Sequence, residues 1–153
     1  MSQRLKEKSL SAEAQAASRG SRPGFYGGDL SKFDERIRRV LHAAAEKKAL
    51  EPTVLDLRDI ASFTDFFVIT TGTNRRQVQA ISDEVVEQLK HAGTRAARVE
   101  GYQTAEWILI DYGDFIVHVF DEKARRFYDL ERLWREARRV DVSAEQLGSL
   151  RAE

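Results

Sequence analysis

Two apolar segments separated by a glycine constrain the fold of this chain more than any other feature. Residues 106–112 and 115–120 are rich in β-branched and aromatic side chains, and Gly113 lies between them. This pattern predicts a β-hairpin with a two-residue loop, formed by Tyr112 and Gly113 or by Gly113 and Asp114. The two loops place the same residues on the same face, because they differ by an even step in pairing. The chain is therefore predicted to contain a sheet that includes this hairpin.

The two faces of the predicted hairpin differ in composition. One face is wholly apolar and is predicted to be core: Ile108, Ile110, Phe115, Val117 and Val119. The other face mixes large apolar side chains with a carboxylate and an imidazole: Trp107, Leu109, Asp111, Ile116, His118 and Phe120. Two interpretations of this mixed face stay open. It is either a second core face covered by helices, with a hydrogen-bonded histidine, or a partly open docking surface, because aromatic side chains are favoured anchors at interfaces.

The chain before the hairpin shows two helix signals and two strand signals. An apolar stripe at helical spacing follows Ser31, which is predicted to cap the first helix. Residues 53–57 and 66–71 are typical of strands, the second being an interior one. Asn74 resembles the first residue of a capping box, and the helix that it starts is predicted to end at Gly93.

The chain after residue 93 completes the pattern. A short strand is predicted at residues 97–100, before the hairpin, and a helix over residues 124–139 after it. Ser143 and Gln146 are predicted to cap a last short helix. The fold class predicted from this order is α/β (α+β), with a mixed sheet of about five strands flanked by helices.

The chain is predicted to be organised around one domain. Residues 1–29 are rich in Ser, Ala, Gln and Gly and are predicted to be a disordered tail, since they cannot bury enough apolar surface to offset ordering. Residues 30–142 form the predicted domain, and residues 143–153 a short C-terminal helix or tail. No apolar run is long enough for a membrane span, and no signal-peptide core is visible, so a soluble intracellular protein is expected.

Composition excludes several kinds of site. The 25 Lys and Arg residues balance 25 Asp and Glu residues, which argues against a protein that grips nucleic acid mainly through phosphates. The absence of cysteine excludes disulfides, thiolate metal sites and cysteine nucleophiles. Three histidines are too few for a histidine-rich zinc site.

One alternative from a different functional class stays open. Gly72 ends a predicted strand just before a predicted helix, and backbone amides at a helix start can hold a phosphate. A nucleotide-handling enzyme would use this turn, with Asp56, Asp65 or Asp111 binding a metal. The signal is weak, because the sequence has neither a Walker lysine nor a G-x-G-x-x-G motif.

Taken together, several segments resemble the Iojap-like ribosomal silencing factors, in order and at that family's spacing over about residues 35–138. The matching segments are Val54-Leu55-Asp56-Leu57, Thr64-Asp65-Phe66-Phe67-Val68-Ile69 with Thr71-Gly72, Arg76-Gln77-Val78 with Ala80-Ile81, Glu100-Gly101, Trp107-Ile108-Leu109-Ile110-Asp111-Tyr112-Gly113-Asp114, Val117-His118-Val119-Phe120 and Phe127-Tyr128-Asp129-Leu130-Glu131-Arg132-Leu133-Trp134.

The resemblance implies a fold related to nucleotidyltransferases, without transferase activity, catalytic residues, cofactor or metal. The sequence agrees in one respect: its turn is Gly72-Thr73 rather than Gly-Ser, and no Asp-x-Asp follows. The resemblance also implies a cytoplasmic protein that binds the large ribosomal subunit through its protein numbered fourteen, at the surface facing the small subunit. Bound there, it blocks subunit joining and lowers translation, notably when nutrients are short.

Carried over by position, the resemblance implies a set of partner contacts on the mixed hairpin face and the segment after it. These are Trp107, Leu109, Asp111, Tyr112, His118, Phe120, Arg126, Tyr128 and Asp129. A minor ribosomal RNA contact is compatible with the neutral charge, and no membrane partner is expected. A homodimer of the free protein is a further expectation, because the aromatic face could pair with its own copy.

Overall fold

The computed structural model describes residues 4–11, 24–25, 30–143 and 145–148. Its helices are α1 (Arg4–Ser9), α2 (Glu35–Glu46), α3 (Arg75–His91), α4 (Glu122–Tyr128) and α5 (Leu130–Leu133), with a 3-10 turn at Leu30–Lys32. Its strands are β1 (Gly24–Phe25), β2 (Leu50–Asp56), β3 (Phe66–Gly72), β4 (Arg98–Glu100), β5 (Trp107–Asp111), β6 (Phe115–Asp121) and β7 (Arg138–Asp141).

The strands form one mixed sheet in the order β1-β7-β2-β3-β6-β5-β4. The pairs β3/β6 and β1/β7 are parallel, and the remaining neighbours are antiparallel. The predicted mixed α+β class is therefore confirmed, although the sheet has seven strands rather than about five. The two additional strands lie together at one edge. β7 escaped prediction because a short strand of mostly charged residues lacks the apolar alternation of a core strand.

The hairpin forms as the sequence predicts, with Gly113 and Asp114 as its loop. The backbone N–H of Tyr112 donates to the carbonyl of Phe115 at 3.0 Å, which closes the last pair before the turn. Gly113 has a φ of +83°, a left-handed conformation that glycine adopts without steric cost. The central pairing is long-range: β6 lies between its hairpin partner β5 and the parallel strand β3.

The sheet has a buried cluster of apolar side chains on each face. On one face α2 and α3 cover Val54, Val68, Ile108, Ile110, Phe115, Val117 and Val119. On the other face the segment from α4 to Ala137, together with Leu5 of α1, covers Leu55, Phe67, Ile69, Trp107, Leu109, Ile116 and Phe120. The assignment of hairpin residues to the two faces is thus confirmed. We call these the first and second cores.

The helix starts show which capping predictions hold. Asn74 caps α3, as predicted, because its Oδ1 accepts from the backbone N–H of Gln77 at 2.8 Å. α2 starts later than predicted: Asp34, rather than Ser31, is its N-cap and accepts from the backbone N–H of Arg36 at 2.7 Å. Ser31 instead belongs to the preceding 3-10 turn.

The single helix predicted over residues 124–139 is wrong. Asp129 has a φ of 46° in the left-handed region, which separates α4 from α5, and the chain then enters β7. Leu130, Trp134 and Ala137 are buried in the second core, so their spacing resembles that of one amphipathic helix. Beyond β7, Ser143 and Gln146 exchange hydrogen bonds of 2.9 and 3.1 Å and cap a helical turn at residues 145–148, as predicted.

The expectation of a disordered tail over residues 1–29 does not hold for residues 4–11. There the chain forms α1, and the indole N–H of Trp134 donates to the carbonyl of Ser9 at 2.7 Å. A composition argument could not reveal this, because the stabilising contacts join α1 to residues more than 100 positions away. The rest of that prediction falls mostly outside the described residues.

Candidate functional site

The mixed hairpin face is buried rather than open. Trp107 is 4% exposed, while Leu109, His118 and Phe120 have no exposed surface. α4, α5 and the adjoining segment to Ala137 pack over them, so this is a second core face covered by helices. The histidine is only partly hydrogen-bonded, because its Nε2 has no partner among the described residues. These four side chains do not form an exposed docking surface in this structure, and their predicted role as direct partner contacts conflicts with their burial.

The histidine of this face is held neutral. The indole Nε1–H of Trp107 donates to His118 Nδ1 at 3.0 Å, which assigns the ring proton of the neutral imidazole to Nε2. Burial lowers the pKa of His118 to about 3, and the positive charges of Lys6 and Arg125 act in the same direction. The ring also packs edge-on against Phe67, with ring centroids 4.4 Å apart. His118 is therefore an uncharged core residue at neutral pH.

Two further predicted contacts have structural roles. Tyr112 is 9% exposed, stacks on Phe115 at 4.9 Å in the first core, and has its pKa raised to about 12 by burial. Asp111 is half-buried, and its carboxylate accepts from the backbone N–H of Gly113 at 2.8 Å. Asp111 thus fixes the hairpin turn, and Arg98 lies 3.7 Å from its other oxygen.

The Gly72 turn is shaped by packing. A Cβ on Gly72 would lie 2.9 Å from Val78 Cγ2 and 3.0 Å from the backbone nitrogen of Val78, so glycine lets β3 approach α3 closely. Two amides of this helix start already donate to side chains, that of Thr73 to Gln77 and that of Gln77 to Asn74. These contacts explain the glycine without a phosphate. No group of three or more metal-binding side chains occurs among the described residues.

The predicted contacts that stay accessible lie on α4 and just after it. Asp121 caps the helix by accepting from the backbone N–H of Ala124 at 2.7 Å, which turns Ala124 and Arg125 inward. Arg126 is exposed, and Tyr128 and Asp129 are half-buried. Phe127, which the sequence analysis did not select, is 77% exposed. We call Arg126, Phe127, Tyr128 and Asp129 the α4 surface.

A cleft of about 650 Å³ adjoins the α4 surface. Charged side chains of both signs line it: Arg125, Arg126, Asp129, Glu131, Arg139 and Asp141. Arg125 is buried and donates to Glu131 Oε2 at 3.0 Å and to Thr71 Oγ1 at 2.7 Å. Arg139 likewise pairs with Asp141 at 3.0 Å. Arg125 also donates to Thr53, so it joins α4 to β3 and β2. Because Arg125 and Arg139 already have acceptors, these two side chains have little positive charge to offer an anion.

The profile of a protein family described as "Ribosomal silencing factor during starvation" matches residues 31–152. The chain belongs to this family. The resemblance drawn from the sequence motifs is thereby confirmed, and with it a role in ribosome-associated regulation of translation.

Individual relatives of this silencing-factor chain support the same family assignment. The "Ribosomal silencing factor RsfS" of Halalkalibacterium halodurans is 39% identical over 108 residues, which is 71% of this chain and 92% of the relative. A crystal structure from Chromobacterium violaceum superposes with a TM-score of 0.64 at 34% identity, covering 65% of this chain and 83% of that one. A mouse relative, "Mitochondrial assembly of ribosomal large subunit protein 1", is 29% identical over 107 residues, 68% of this chain and 46% of the relative.

The matched segment of the silencing factor contains the whole sheet except β1 and leaves out α1. The α4 surface lies inside the match. None of the described helices has the length and apolar character needed to cross a bilayer.

Proposed function

We propose that this silencing factor binds the large ribosomal subunit through its protein numbered fourteen and sterically blocks association with the small subunit. Translation in the cytoplasm would fall as a result, notably when nutrients are short. Membership of a family described by silencing during starvation supports the proposal. The name of the mouse relative, which refers to the large subunit, supports the choice of subunit.

Phe127 is the observation that carries the choice of docking surface. Its ring is 77% exposed, far more than any other large apolar side chain among the described residues. The ring packs edge-on against Tyr128 with centroids 4.9 Å apart, and Tyr128 in turn packs on the buried Trp107 at 4.7 Å. Phe127 is thus presented to solvent on a rigid aromatic base.

The neighbours of Phe127 suit a protein partner. Arg126 and Asp129 flank it with one charge of each sign, and aromatic and arginine side chains are the commonest interface anchors. The whole chain has no net charge, so docking on a ribosomal protein is favoured over a grip on ribosomal RNA, and any RNA contact is minor. A homodimer that forms through the mixed hairpin face is no longer expected, because that face is covered.

A sedimentation experiment tests the proposal. Purified ribosomal subunits and 70S particles are centrifuged through a gradient with the full chain, and each fraction is blotted for it. We expect co-migration with the large subunit alone, and a matching loss of subunit joining in light scattering. Co-migration with the small subunit or with intact ribosomes would contradict the proposal.

Two substitutions test the docking surface. Phe127→Ala is expected to weaken large-subunit binding by about 2 kcal/mol or more, roughly 30-fold, without lowering the melting temperature, since the ring is exposed. Val99→Ala is the matched control, because Val99 is also exposed (41%) but lies on β4. It should bind within about threefold of wild type. Equal binding by both variants would place the contacts elsewhere.

A further inference from the structure

The ammonium group of Lys6 occupies a defined position against the second core. Lys6 Nζ donates to the carbonyl of Trp107 at 2.9 Å and lies 4.9 Å from the centroid of the Trp107 ring. The ring face attracts a cation, and the carbonyl supplies a hydrogen-bond acceptor. One tryptophan therefore holds the ammonium through both its backbone and its side chain.

A buried carboxylate stands beside this position. Glu100 is 5% exposed, and among the described residues no donor makes a hydrogen bond to either of its oxygens; Arg98 Nη1 lies 4.0 Å from Oε2. Burial raises the pKa of Glu100, while the positive charges of Lys6 and Arg98 lower it. Burying a carboxylate without hydrogen bonds is costly, so this group needs a nearby cation.

Gly101 leaves the space that the cation enters. Its φ is +82°, and a Cβ there would lie 2.2 Å from the carbonyl oxygen of Trp107 and 2.8 Å from Lys6 Nζ. Any side chain would close the approach to the carbonyl. We call the arrangement of Glu100, Gly101 and Trp107 the ammonium socket.

The socket and its present occupant come from different parts of the chain. Glu100, Gly101 and Trp107 lie within the family match, whereas Lys6 precedes its first residue. The socket therefore lies within the matched domain, and Lys6 lies outside it.

The occupant is weakly held. α1 has six residues, too few to be stable alone, so its tertiary contacts hold it in place. Burial lowers the pKa of Lys6, and the nearby carboxylates of Glu100 and Glu106 offset that only in part. The Lys6 ammonium group has therefore lost its hydration, and its protein partners do not fully compensate for that loss. This favours its exchange for another ammonium group.

We propose that Glu100, Gly101 and Trp107 form a receptor site for a primary ammonium group, which Lys6 fills in cis and a lysine of the ribosomal partner protein fills when α1 is displaced. Contact between Trp107 and Tyr128 makes the socket continuous with the α4 surface. α1 then acts as an intramolecular competitor of docking. The choice of partner rests on the proposed function; the socket itself does not.

A small amine tests the socket without ribosomes. n-Butylammonium chloride is titrated into the full-length Lys6→Ala variant while the indole N–H resonance of Trp107 is followed by NMR. We expect a saturable shift, at least tenfold weaker or absent in wild type, where Lys6 competes, and in Lys6→Ala/Glu100→Gln. Tetramethylammonium, which has no N–H to donate to the carbonyl, should bind more weakly. No saturable shift in Lys6→Ala would overturn the proposal, whatever the ribosomes show.

Large-subunit binding tests the competitor role. Lys6→Ala should bind several-fold more tightly than wild type, whereas Lys8→Ala, a matched charge loss on the same helix, should not. In the Glu100→Gln background the Lys6→Ala substitution should have no effect. Unchanged or weaker binding by Lys6→Ala would refute a partner lysine in the socket. Failure of every variant, wild type included, to bind large subunits would instead refute the proposed function.

Discussion

Trp107 and His118 are joined by a buried hydrogen bond of 3.0 Å that crosses from β5 to β6. Neither residue is directly opposite the other: Trp107 pairs with Phe120, and His118 pairs with Leu109. The bond is therefore diagonal and fixes the relative tilt of two large rings in the second core. Residues that suggested a docking surface in the sequence instead hold the sheet together.

Truncation of Trp107 should cost stability. Trp107→Ala removes a large buried side chain and is expected to lower the free energy of unfolding by roughly 3–5 kcal/mol, measured by urea denaturation. Trp107→Phe keeps most of the packing but leaves the Nδ1 of His118 without its donor, so it should cost less, about 1–3 kcal/mol. A Trp107→Ala variant with wild-type stability would show that the ring is not core.

His118 should make stability fall as the pH is lowered. Its folded pKa of about 3 lies below the ordinary value of 6.5, so between these two values the unfolded chain binds a proton that the folded chain excludes. Stability from this group is complete above pH 6.5 and decreases below it, by up to about 1.4 kcal/mol per pH unit. Glu100 acts in the opposite direction: its folded pKa is raised, so the stability that it contributes decreases as the pH rises.

The control for this pH effect is His118→Asn, which keeps an acceptor for the Trp107 indole and cannot titrate. From pH 7 to pH 5.5 the wild type should lose about 1.2 kcal/mol more than the variant in urea denaturation. The remaining acidic and basic groups are common to both proteins, so their contributions to the pH dependence cancel in this comparison. Parallel pH profiles would mean that His118 binds its proton as readily in the folded chain as in the unfolded chain.

How far the sequence predicts this fold depends on where the stabilising contacts lie. The hairpin and α3 depend on local signals, Gly113 at a turn and Asn74 at a cap, and both form as predicted. The break at Asp129 was not predictable from periodicity, because a single left-handed residue interrupts a helix without disturbing the spacing of its apolar side chains.

Gly101 and Gly93 provide a matched pair for separating strain from collision. Both have positive φ, +82° and +98°, but a Cβ would collide with the Trp107 carbonyl at Gly101 and meet nothing within 4 Å at Gly93. Gly93→Ala should therefore lose about 1 kcal/mol from backbone strain alone. Gly101→Ala should lose clearly more in the same thermal or urea measurement. Similar losses would mean that the backbone at residue 101 can move aside.

Substitutions of Arg125 and Glu131 should have strongly coupled effects on the free energy of unfolding. Both side chains are 9% exposed, and Arg125 also donates to Thr71. Glu131→Gln leaves a buried guanidinium without its carboxylate and is expected to cost roughly 3–5 kcal/mol. The double variant Arg125→Met/Glu131→Leu should cost less than the single one. Additive losses in this double-mutant cycle would indicate that the two residues act independently.

The candidate site was less predictable than the fold, for a physical reason. Burial of Trp107 and exposure of Phe127 depend on how α4 packs on the sheet, and both residues are aromatic members of apolar segments. Sequence spacing cannot say which aromatic ring a short helix will cover. The part played by Lys6 was equally hidden, since it depends on a contact across 101 residues of chain.

The pairing of β2 with β7 has a consequence for the chain while it is being made. Thr53 lies opposite Asp141 and donates to its carboxylate at 2.9 Å, so β2 has no neighbour on that side until residues 138–141 have been synthesised. A nascent or truncated chain that ends before residue 138 leaves the β2 edge open, as a template for a strand from another molecule. Synthesis of β7 is thus the step that closes this edge of the sheet.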